Sequence, residues 1–360
     1  MSPLPASPRS EALLAALRLV APGTALRAGM ERIIQARMGA LIVVGAGPEV
    51  LSLCSGGFLL DAEFTPPRLS ELAKMDGAII LTADCSRIVR ANVHLVPDPN
   101  IPTSETGTRH RTAERVARQI AVPVVTVSED RTEVAIHVRT LKRAIEPTPR
   151  VLARADQGLQ ILERYKARLD SVSAALSALE IEDLVTLRDV ANVLQRAEMV
   201  RRISEEIEGH VIELGVDGRL VLLQLDELMG GVEEDRRLVA KDYSVATHDA
   251  ELVHVMERLS GLDDDALLDP TLVLGALGLP PVLDLDAGAR PRGFRLLQKI
   301  PRLPEAVSEH VVDRFHELQE IMRASEADLV QVEGVGDTRA KAIKEGLARI
   351  AESSILDRYT

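Results

Sequence analysis

Gly107-Thr108-Arg109-His110-Arg111 is the stretch around which the chain is organised, and Thr112-Ala113-Glu114-Arg115-Val116-Ala117-Arg118-Gln119-Ile120 follows it. A glycine ahead of a helical pattern marks a helix start, where free backbone N–H groups attract anions. Two arginines and a histidine there add side chains that grip phosphate oxygens. The stretch therefore predicts an anion site. The alternative is a basic turn ahead of a surface helix, because charge clusters are often solvated.

The composition indicates a globular chain with aliphatic cores. Of 360 residues, 46% are hydrophobic and 2% aromatic, which argues against recognition of bases by aromatic stacking. The length allows two or three domains. Only Cys54 and Cys85 occur, so we expect neither a zinc site nor a disulfide framework, and a reducing cytosol fits best. No apolar run approaches the ~18 residues that cross a bilayer, so we expect a soluble, cytoplasmic protein with no membrane partner.

Charge divides the chain into three regions. Residues 1–150 contain 18 basic and 15 acidic residues, residues 151–285 contain 13 and 27, and residues 286–360 contain 12 and 13. The net charge of −12 is therefore concentrated in the middle region. Overall acidity does not exclude nucleic-acid binding, because local patches set the field that a nucleic acid meets.

The first region has the pattern of an α/β domain, which we place at residues 1–149. Apolar residues at three- and four-residue spacing predict helices over 10–37, with a break at Pro22-Gly23. Short apolar runs bounded by turn residues predict buried strands. These runs cover residues 40–44, 50–53, 79–81, 88–90, 93–96, 122–127 and 134–138. Strands that alternate with helices predict a mixed sheet with flanking helices.

The second region, residues 150–286, is helical in pattern almost throughout. Proline is absent from 150 to 269 and apolar residues recur at helical spacing, which predicts a helical spine. Its acidic excess is most simply a solvated helix face. Asp263-Asp264-Asp265 is typical of a helix start rather than a metal site, because consecutive residues do not share one helix face.

The third region, residues 287–360, carries a motif typical of DNA-binding hairpins. Gly334-Val335-Gly336 separates a helix that ends near Val330 from a helix that begins at Asp337. Glycines let backbone N–H groups approach a phosphate at the positive end of the second helix. The pattern resembles the second element of a helix-hairpin-helix pair, which holds the phosphate backbone and reads little sequence; an ordinary glycine turn is the alternative. The predicted DNA contacts are Gly334, Val335, Gly336, Thr338, Arg339 and Lys341.

A weaker first element precedes this hairpin. Ile300-Pro301-Arg302-Leu303-Pro304 resembles it but lacks the Gly-x-Gly turn. Residues 287–304 contain no acidic residue, which predicts the clearest basic patch of the chain. The basic residues of this patch are Arg290, Arg292, Arg295, Lys299 and Arg302.

Asp76-Gly77-Ala78 lies about thirty residues before Gly107-Thr108-Arg109-His110-Arg111, and together they resemble the motif pair of the diadenylate cyclases. With the helical middle and the C-terminal hairpins in the same order, nearly the whole chain resembles the DisA family of these enzymes. The resemblance implies condensation of two ATP into cyclic di-AMP and two pyrophosphates, in which each 3′-hydroxyl attacks the α-phosphate of the other nucleotide. It also implies that two domains meet face to face, each with one ATP, within a homo-octamer.

The resemblance also implies roles for individual residues. Asp76 serves the metal and the 3′-hydroxyl, and its carboxylate is a hard ligand that suits Mg²⁺ or Mn²⁺. Gly77 lets the backbone approach the nucleotide, and Ala78 leaves room for it. The catalytic set is Asp76, Arg109, His110 and Arg111, of which the last three hold phosphates. The remaining ATP contacts are Leu95 for adenine and Thr108, Thr112 and Ser128 for phosphate.

Two other functions remain open from the sequence. One is a DNA-binding scaffold whose N-terminal domain senses nucleotide without catalysis. The other is an accessory of a repair nuclease or ligase, although the chain shows no dense carboxylate cluster for two-metal cleavage and no lysine nucleophile motif. For the cyclase, the resemblance implies that branched or junction DNA lowers synthesis and that the protein is nucleoid-associated.

Overall fold

The computed structural model describes residues 8–129, 133–246, 248–280 and 284–356. The chain divides into two compact units. The first comprises Met1–Gln157 with Glu206–Gln224, and the second comprises Gly158–Glu205 with Leu225–Thr360. Each unit contains its own apolar core.

A mixed sheet forms the centre of the first unit. Its strands are β1 Ala40–Val44, β2 Cys54–Ser55, β3 Phe58–Glu63, β4 Ala78–Leu81, β5 Arg87–Leu95, β6 Val124–Val127, β7 Val134–Val138 and β8 Leu141–Ile145. In the described residues they pair in the order β2-β5-β4-β1-β6-β7-β8, and β3 pairs with β5. The central strand β1 runs parallel to β4 and antiparallel to β6.

Helices cover both faces of this sheet. They are α1 Pro8–Val20, α2 Ala25–Gln35, α3 Pro48–Ser52, α4 Pro66–Leu72 and α5 Thr108–Ile120. Strand β1 is buried along its whole length because its alternate side chains enter two cores. Ile42 and Val44 join the core that contains α1, α2 and α4, whereas Leu41 and Val43 join the core that contains α3 and α5.

The predicted mixed α/β organisation is confirmed, but some elements differ from the prediction. Residues 50–53, predicted as a strand, lie at the end of α3 and just after it. Pro48 occupies the first turn of this helix and Gly47 precedes it, so the short apolar run continues a helix start. The predicted strands at 88–90 and 93–96 form a single strand, β5, which ends at Leu95 and continues through irregular pairing with β4.

After β8 the chain is helical, which confirms the pattern of the middle region. The helices are α6 Thr148–Glu182, α7 Leu187–Leu214, α8 Arg219–Met229, α9 Val232–Tyr243, α10 Asp249–Gly261, α11 Asp264–Leu268, α12 Pro270–Ala276, α13 Phe294–Gln298, α14 Glu305–Phe315, α15 Leu318–Arg323, α16 Glu326–Val330 and α17 Asp337–Leu356, with a 3-10 turn at Gly215–Gly218. Asp263 caps α11 by accepting the N–H of Ala266 at 2.8 Å, as expected for a helix-start cluster.

The predicted basic patch at 287–304 is not a continuous charged surface. Arg295 is 1% exposed, and its guanidinium donates to Glu180 at 2.6 Å and to Asp235 at 3.0 Å. Arg292 donates to two backbone carbonyl oxygens at 2.6 Å each. These acceptors are distant in sequence, so the local absence of acidic residues did not reveal that much of the charge is used internally.

A second buried carboxylate holds the start of α13. Asp242 is 2% exposed and accepts the N–H groups of Gly293, Phe294 and Arg295 at 2.8, 2.8 and 3.0 Å. Burial, and then the charge of Glu180, raises the pKa of Asp242 to about 7 against these hydrogen bonds. The arrangement fixes α13 against α9 within the second unit.

Among the described residues, no single helix is both long and apolar enough to cross a membrane. One bent pair, Glu11–Val20 with Ala25–Gln35, meets the length and composition criterion when the two helices are taken together.

Candidate functional site

The predicted anion-binding stretch forms the first turn of α5. The helix begins at Thr108, and Gly107 precedes it in an extended conformation without a side-chain cap. The N–H of Arg111 donates to the carbonyl oxygen of Gly107 at 2.9 Å, which closes the first turn. The N–H groups ahead of Arg111 lie where a helix has no internal acceptors. This end of α5 therefore offers hydrogen-bond donors and a positive dipole to an anion.

Asp76 lies beside this helix start, in the turn that leads into β4. Its Oδ1 is 3.6 Å from Nη2 of Arg109, and Nη1 of Arg109 is 3.8 Å from Oε2 of Glu129. The Asp76 side chain is 97% exposed. Ion pairs this long and exposed contribute little to stability, so a ligand can compete for both side chains. The fold thus brings together the two motifs that lie far apart in the sequence.

Gly77 is required by close backbone packing behind Asp76. A Cβ atom at this position would lie 2.7 Å from the Cα and carbonyl carbon of Asn92. Asn92 has φ 55° and belongs to β5, whose pairing with β4 is irregular. Ala78 follows as the first, fully buried residue of β4. The small residues of this motif therefore hold the Asp76 turn against β5.

A cleft of about 500 Å³ opens beside Asp76 and the start of α5, which is within the usual size range of small-molecule sites. The predicted site residues that line it are Asp76, Thr108, Arg109, His110 and Ser128. The other lining residues are Glu105, Thr106, Gly107, Val127, Glu129, Glu133 and Lys142. The wall is polar and carries both signs of charge, as a site for a charged ligand and a cation requires.

The other predicted site residues lie outside the wall of this cleft. Gly77 and Ala78 lie behind Asp76. Arg111 is exposed and Thr112 half-buried on α5, one turn into the helix. Leu95 is 5% exposed at the end of β5, in the core that contains α3 and α5.

Sequence reasoning missed a buried histidine next to His110. His137 lies on β7, is 1% exposed, and has its ring centroid 6.4 Å from that of His110 with the planes at 68°. In the part of the chain that the structure describes, neither ring nitrogen of His137 has a hydrogen-bond partner. Burial, and then the charge of Lys142, lowers the pKa of His137 to about 4. His137 is therefore neutral at pH 7.

Lys142 and Glu105 are further residues of the cleft that the sequence did not single out. Lys142 Nζ donates to Oε1 of Glu105 at 2.6 Å. Lys142 lies on β8, directly opposite His137 in the strand register, and Glu105 lies in the loop before α5. Alternation along β7 predicts only that His137 faces one side of the sheet. No local pattern links it to the loop before α5.

The second unit contains the predicted hairpin. α16 ends at Val330 and α17 begins at Asp337, as expected. Gly334 has φ 81°, a left-handed conformation that favours glycine. Val335 is 4% exposed and anchors the turn in the core. A Cβ atom added to Gly336 would have no other atom within 4 Å, so this glycine faces open space. The turn therefore presents exposed backbone ahead of a helix N-terminus.

The basic residues predicted to follow this turn are exposed on α17. Arg339 donates through Nη1 to the Gly334 carbonyl oxygen at 2.6 Å. Lys341 Nζ is 3.7 Å from Oε1 of Glu345, a weak surface pair. Thr338 is also exposed. The first helical turn of α17 thus has the geometry that a phosphate-backbone contact requires.

Family profiles match the chain in the order of its regions. The profile of the DisA bacterial checkpoint controller nucleotide-binding domain matches residues 27–140, that of the DisA bacterial checkpoint controller linker region matches residues 145–284, and that of the SAM-like helix-hairpin-helix tandem matches residues 294–349. The DNA integrity scanning protein DisA of Kineococcus radiotolerans is 56% identical over 97% of this chain and 98% of its own length. The protein of the same name from Frankia alni is 53% identical over 98% and 99%. This chain belongs to the DisA family.

Membership of the DisA family decides between the functions that the sequence left open. The chain is a diadenylate cyclase with a DNA-binding helix-hairpin-helix module, rather than a non-catalytic scaffold or a repair accessory. The predicted order of nucleotide-binding, helical and helix-hairpin-helix regions is confirmed. The tandem match includes residues 300–304, the degenerate first element, which connects α13 to α14.

The acidic side chains at the cleft fit a metal site only if the bound nucleotide supplies some of the metal ligands. Among the residues that the structure describes, no group of three or more His, Cys, Asp or Glu side chains is arranged to hold a metal ion. Mg²⁺ is commonly held by one or two carboxylates together with water and the phosphates of a bound nucleotide. The exposed carboxylate of Asp76 fits that arrangement.

Proposed function

We propose that this chain condenses two ATP molecules into cyclic di-AMP and two pyrophosphates across a face-to-face pair of subunits. Each 3′-hydroxyl oxygen forms a bond to the α-phosphorus of the other nucleotide, the bond to pyrophosphate breaks, and the hydroxyl proton passes to water. The observation that carries the proposal is the meeting of Asp76 and Arg109 at a cleft beside the start of α5. A cleft of about 500 Å³ suits one nucleotide, so a product made from two nucleotides needs two such clefts.

Some cleft residues bind the phosphates, and Asp76 acts on the attacking 3′-hydroxyl. The N–H groups at the start of α5, with Arg109 and His110, hold the phosphates and stabilise the charge that develops at the α-phosphorus. Asp76 orients the 3′-hydroxyl and ligates Mg²⁺ or Mn²⁺, which when bound neutralises charge on the α-phosphate and the leaving pyrophosphate.

Further contacts complete the proposed ATP site. Thr108 and Ser128 both line the cleft and contact phosphate. Arg111 and Thr112 extend the phosphate-binding surface along α5. Leu95 contacts adenine from the sheet side.

Exposure at the cleft and on the sheet edge supports assembly with other subunits. The 97% exposed side chain of Asp76 leaves the reacting side of the cleft accessible to a facing subunit. On β3, Phe58 is 56% exposed and Leu59 is 75% exposed. Apolar side chains at a sheet edge are typical of a contact surface. We therefore propose that these surfaces are used in a homo-octamer.

The helix-hairpin-helix unit is proposed to report bound DNA to the cyclase. It binds phosphates of branched or junction DNA through the turn before α17, and this binding lowers cyclic di-AMP synthesis. Such a protein acts in the cytoplasm at the nucleoid. An unchanged synthesis rate at saturating junction DNA would contradict the regulatory part of this proposal without affecting the cyclase part.

Mixed oligomers test the requirement for two clefts. Parent chains and Asp76→Asn chains are coexpressed in equal amounts with different tags, and cyclic di-AMP formation from ATP and Mn²⁺ is measured on complexes that contain both. If catalysis needs two intact facing clefts, random pairing leaves about one quarter of the parent rate per total chain. A rate of one half would show that each chain works alone and would contradict the face-to-face arrangement.

A further inference from the structure

The guanidinium of Arg109 lies directly against the backbone of a glycine outside both motifs. Gly39 is the buried residue immediately before β1. A Cβ atom built on it would be 2.0 Å from Nη1 and 2.8 Å from Cζ of Arg109, and 3.3 Å from the carbonyl oxygen of Val127. Any side chain at position 39 therefore competes with Arg109 for the same space.

The competition can be relieved only by movement of the arginine. The Val127 carbonyl belongs to β6, which pairs with β1 at Ala40, so it is fixed in the sheet. Gly39 itself lies outside the positive-φ glycines, so an alanine is compatible with its backbone. A guanidinium at the end of a flexible side chain is the part that can shift. To restore an ordinary contact of about 3.4 Å, Nη1 must move by roughly 1.4 Å.

This shift matters because the guanidinium is positioned from three sides. Gly39 lies against the guanidinium, Asp76 Oδ1 lies 3.6 Å from Nη2, and Glu129 Oε2 lies 3.8 Å from Nη1. The two carboxylate contacts are too long to hold the side chain firmly. A Cβ atom at position 39 would lie closer to the guanidinium than either carboxylate oxygen does, so the missing side chain determines how near the guanidinium can lie to the sheet.

We propose that Gly39 is a positioning residue of the cyclase: the absence of a side chain there seats the Arg109 guanidinium at the depth from which it meets the nucleotide phosphates. This inference rests on the proposed role of Arg109. Gly39 does not line the cleft and acts only through Arg109. Misplacement of a binding group by about 1 Å can cost on the order of 100-fold in rate.

The primary test is Gly39→Ala in the full-length chain. Affinity is measured with 3′-deoxy-ATP, which lacks the attacking hydroxyl and so reports binding without turnover; kcat and KM are measured with ATP and Mn²⁺. The expected result is at least a tenfold weaker affinity and a comparable or larger fall in kcat/KM, with the thermal unfolding transition retained. Parent-like affinity and kcat/KM would overturn the proposal.

Gly29→Ala provides a matched control in the same unit. A Cβ atom on Gly29, in α2, would lie 2.7 Å from Cδ2 of Leu69, so it also presses a methyl group against the end of a flexible side chain, but away from the cleft. We expect this variant to lose stability without a change in the affinity for 3′-deoxy-ATP. Equal losses of affinity in the two variants would show that Gly39→Ala acts through general destabilisation and would overturn the proposal.

Arg109→Lys, alone and combined with Gly39→Ala, completes a double-mutant cycle. Lysine keeps the charge but lacks the Nη1 branch, so Gly39→Ala added to it should change the affinity by less than twofold. If Gly39→Ala alone fails to fold because of the clash with Arg109, the double variant must fold. If both variants fail to fold, or if Gly39→Ala lowers the affinity equally with Arg109 and with lysine at position 109, the proposal is overturned. Absence of 3′-deoxy-ATP binding by the parent chain would instead contradict the proposed nucleotide site.

Discussion

Acidification should destabilise the cyclase unit through His137. This residue is 1% exposed and its pKa is lowered to about 4 from 6.5, first by burial and then by the charge of Lys142 on β8. His110 on α5 acts in the same direction, whereas Glu105 and Glu114 favour the charged ring and oppose the shift. The folded state therefore binds the proton less readily than the unfolded state.

The sign and size of the effect follow from this difference in pKa. Well above pH 6.5 the ring is neutral in both states, and its titration does not reduce the free energy of unfolding. As the pH falls toward 4, the unfolded state gains a proton first, so the free energy of unfolding decreases. Between pH 7.5 and pH 5 the linkage relation gives a loss of about 2 kcal/mol from this one residue.

His137→Phe isolates that contribution, because phenylalanine keeps a ring in the core and does not titrate. Hydrogen–deuterium exchange of peptides from β6 and β7, compared between parent and variant at each pH, measures the local free energy of opening. The parent should lose about 2 kcal/mol more than the variant between pH 7.5 and pH 5. His94→Gln, at an exposed position of β5, should behave like the parent. Equal losses in the parent and His137→Phe would refute the reasoning.

Three further changes test other parts of the structure. Gly77→Ala places a methyl carbon 2.7 Å from the Asn92 backbone, so we expect loss of cyclic di-AMP synthesis together with a lower thermal midpoint. Arg295→Met removes the ion-pair partner of the buried Glu180 carboxylate, which keeps its hydrogen bond from Tyr243, and should cost roughly 3–5 kcal/mol in urea unfolding; Glu180→Gln in the same chain should recover part of that loss. Lys341→Ala should weaken binding to a DNA junction similarly for all sequences and reduce the slope of log affinity against log salt by about 1; an unchanged slope would exclude a phosphate contact by Lys341.

Elements with strong local patterns could be predicted from the sequence. Strand β1 is apolar along its whole length, as a strand covered on both faces should be. The hairpin before α17 is marked by two glycines between two helical patterns. The strand predicted at residues 50–53 was wrong, because a short apolar run fits either a strand or a helix. Pro48 in the first turn favours the helix that the structure shows. Charge at 287–304 was overestimated because the partners of Arg295 lie on α6 and α9.

The candidate site shows a similar division. The start of α5 could be recognised as an anion site from its own residues, but its link to Asp76 came from the resemblance of two motifs to a family. Gly39 and His137 carry no local signal at all. A glycine before a strand and a histidine within one are common, and only the folded chain shows that they touch Arg109 and His110.

The exposed carboxylate of Asp76 is proposed to serve catalysis at the cleft rather than to hold the fold. The most direct test of this role is the rate of cyclic di-AMP formation by Asp76→Asn with ATP and Mn²⁺, measured beside Asp61→Asn, which alters another exposed aspartate of the first unit, on β3. We predict that Asp76→Asn abolishes synthesis while retaining junction-DNA binding and the parent's thermal transition, and that Asp61→Asn keeps the parent's rate. A parent-like rate in Asp76→Asn would contradict a catalytic role for Asp76.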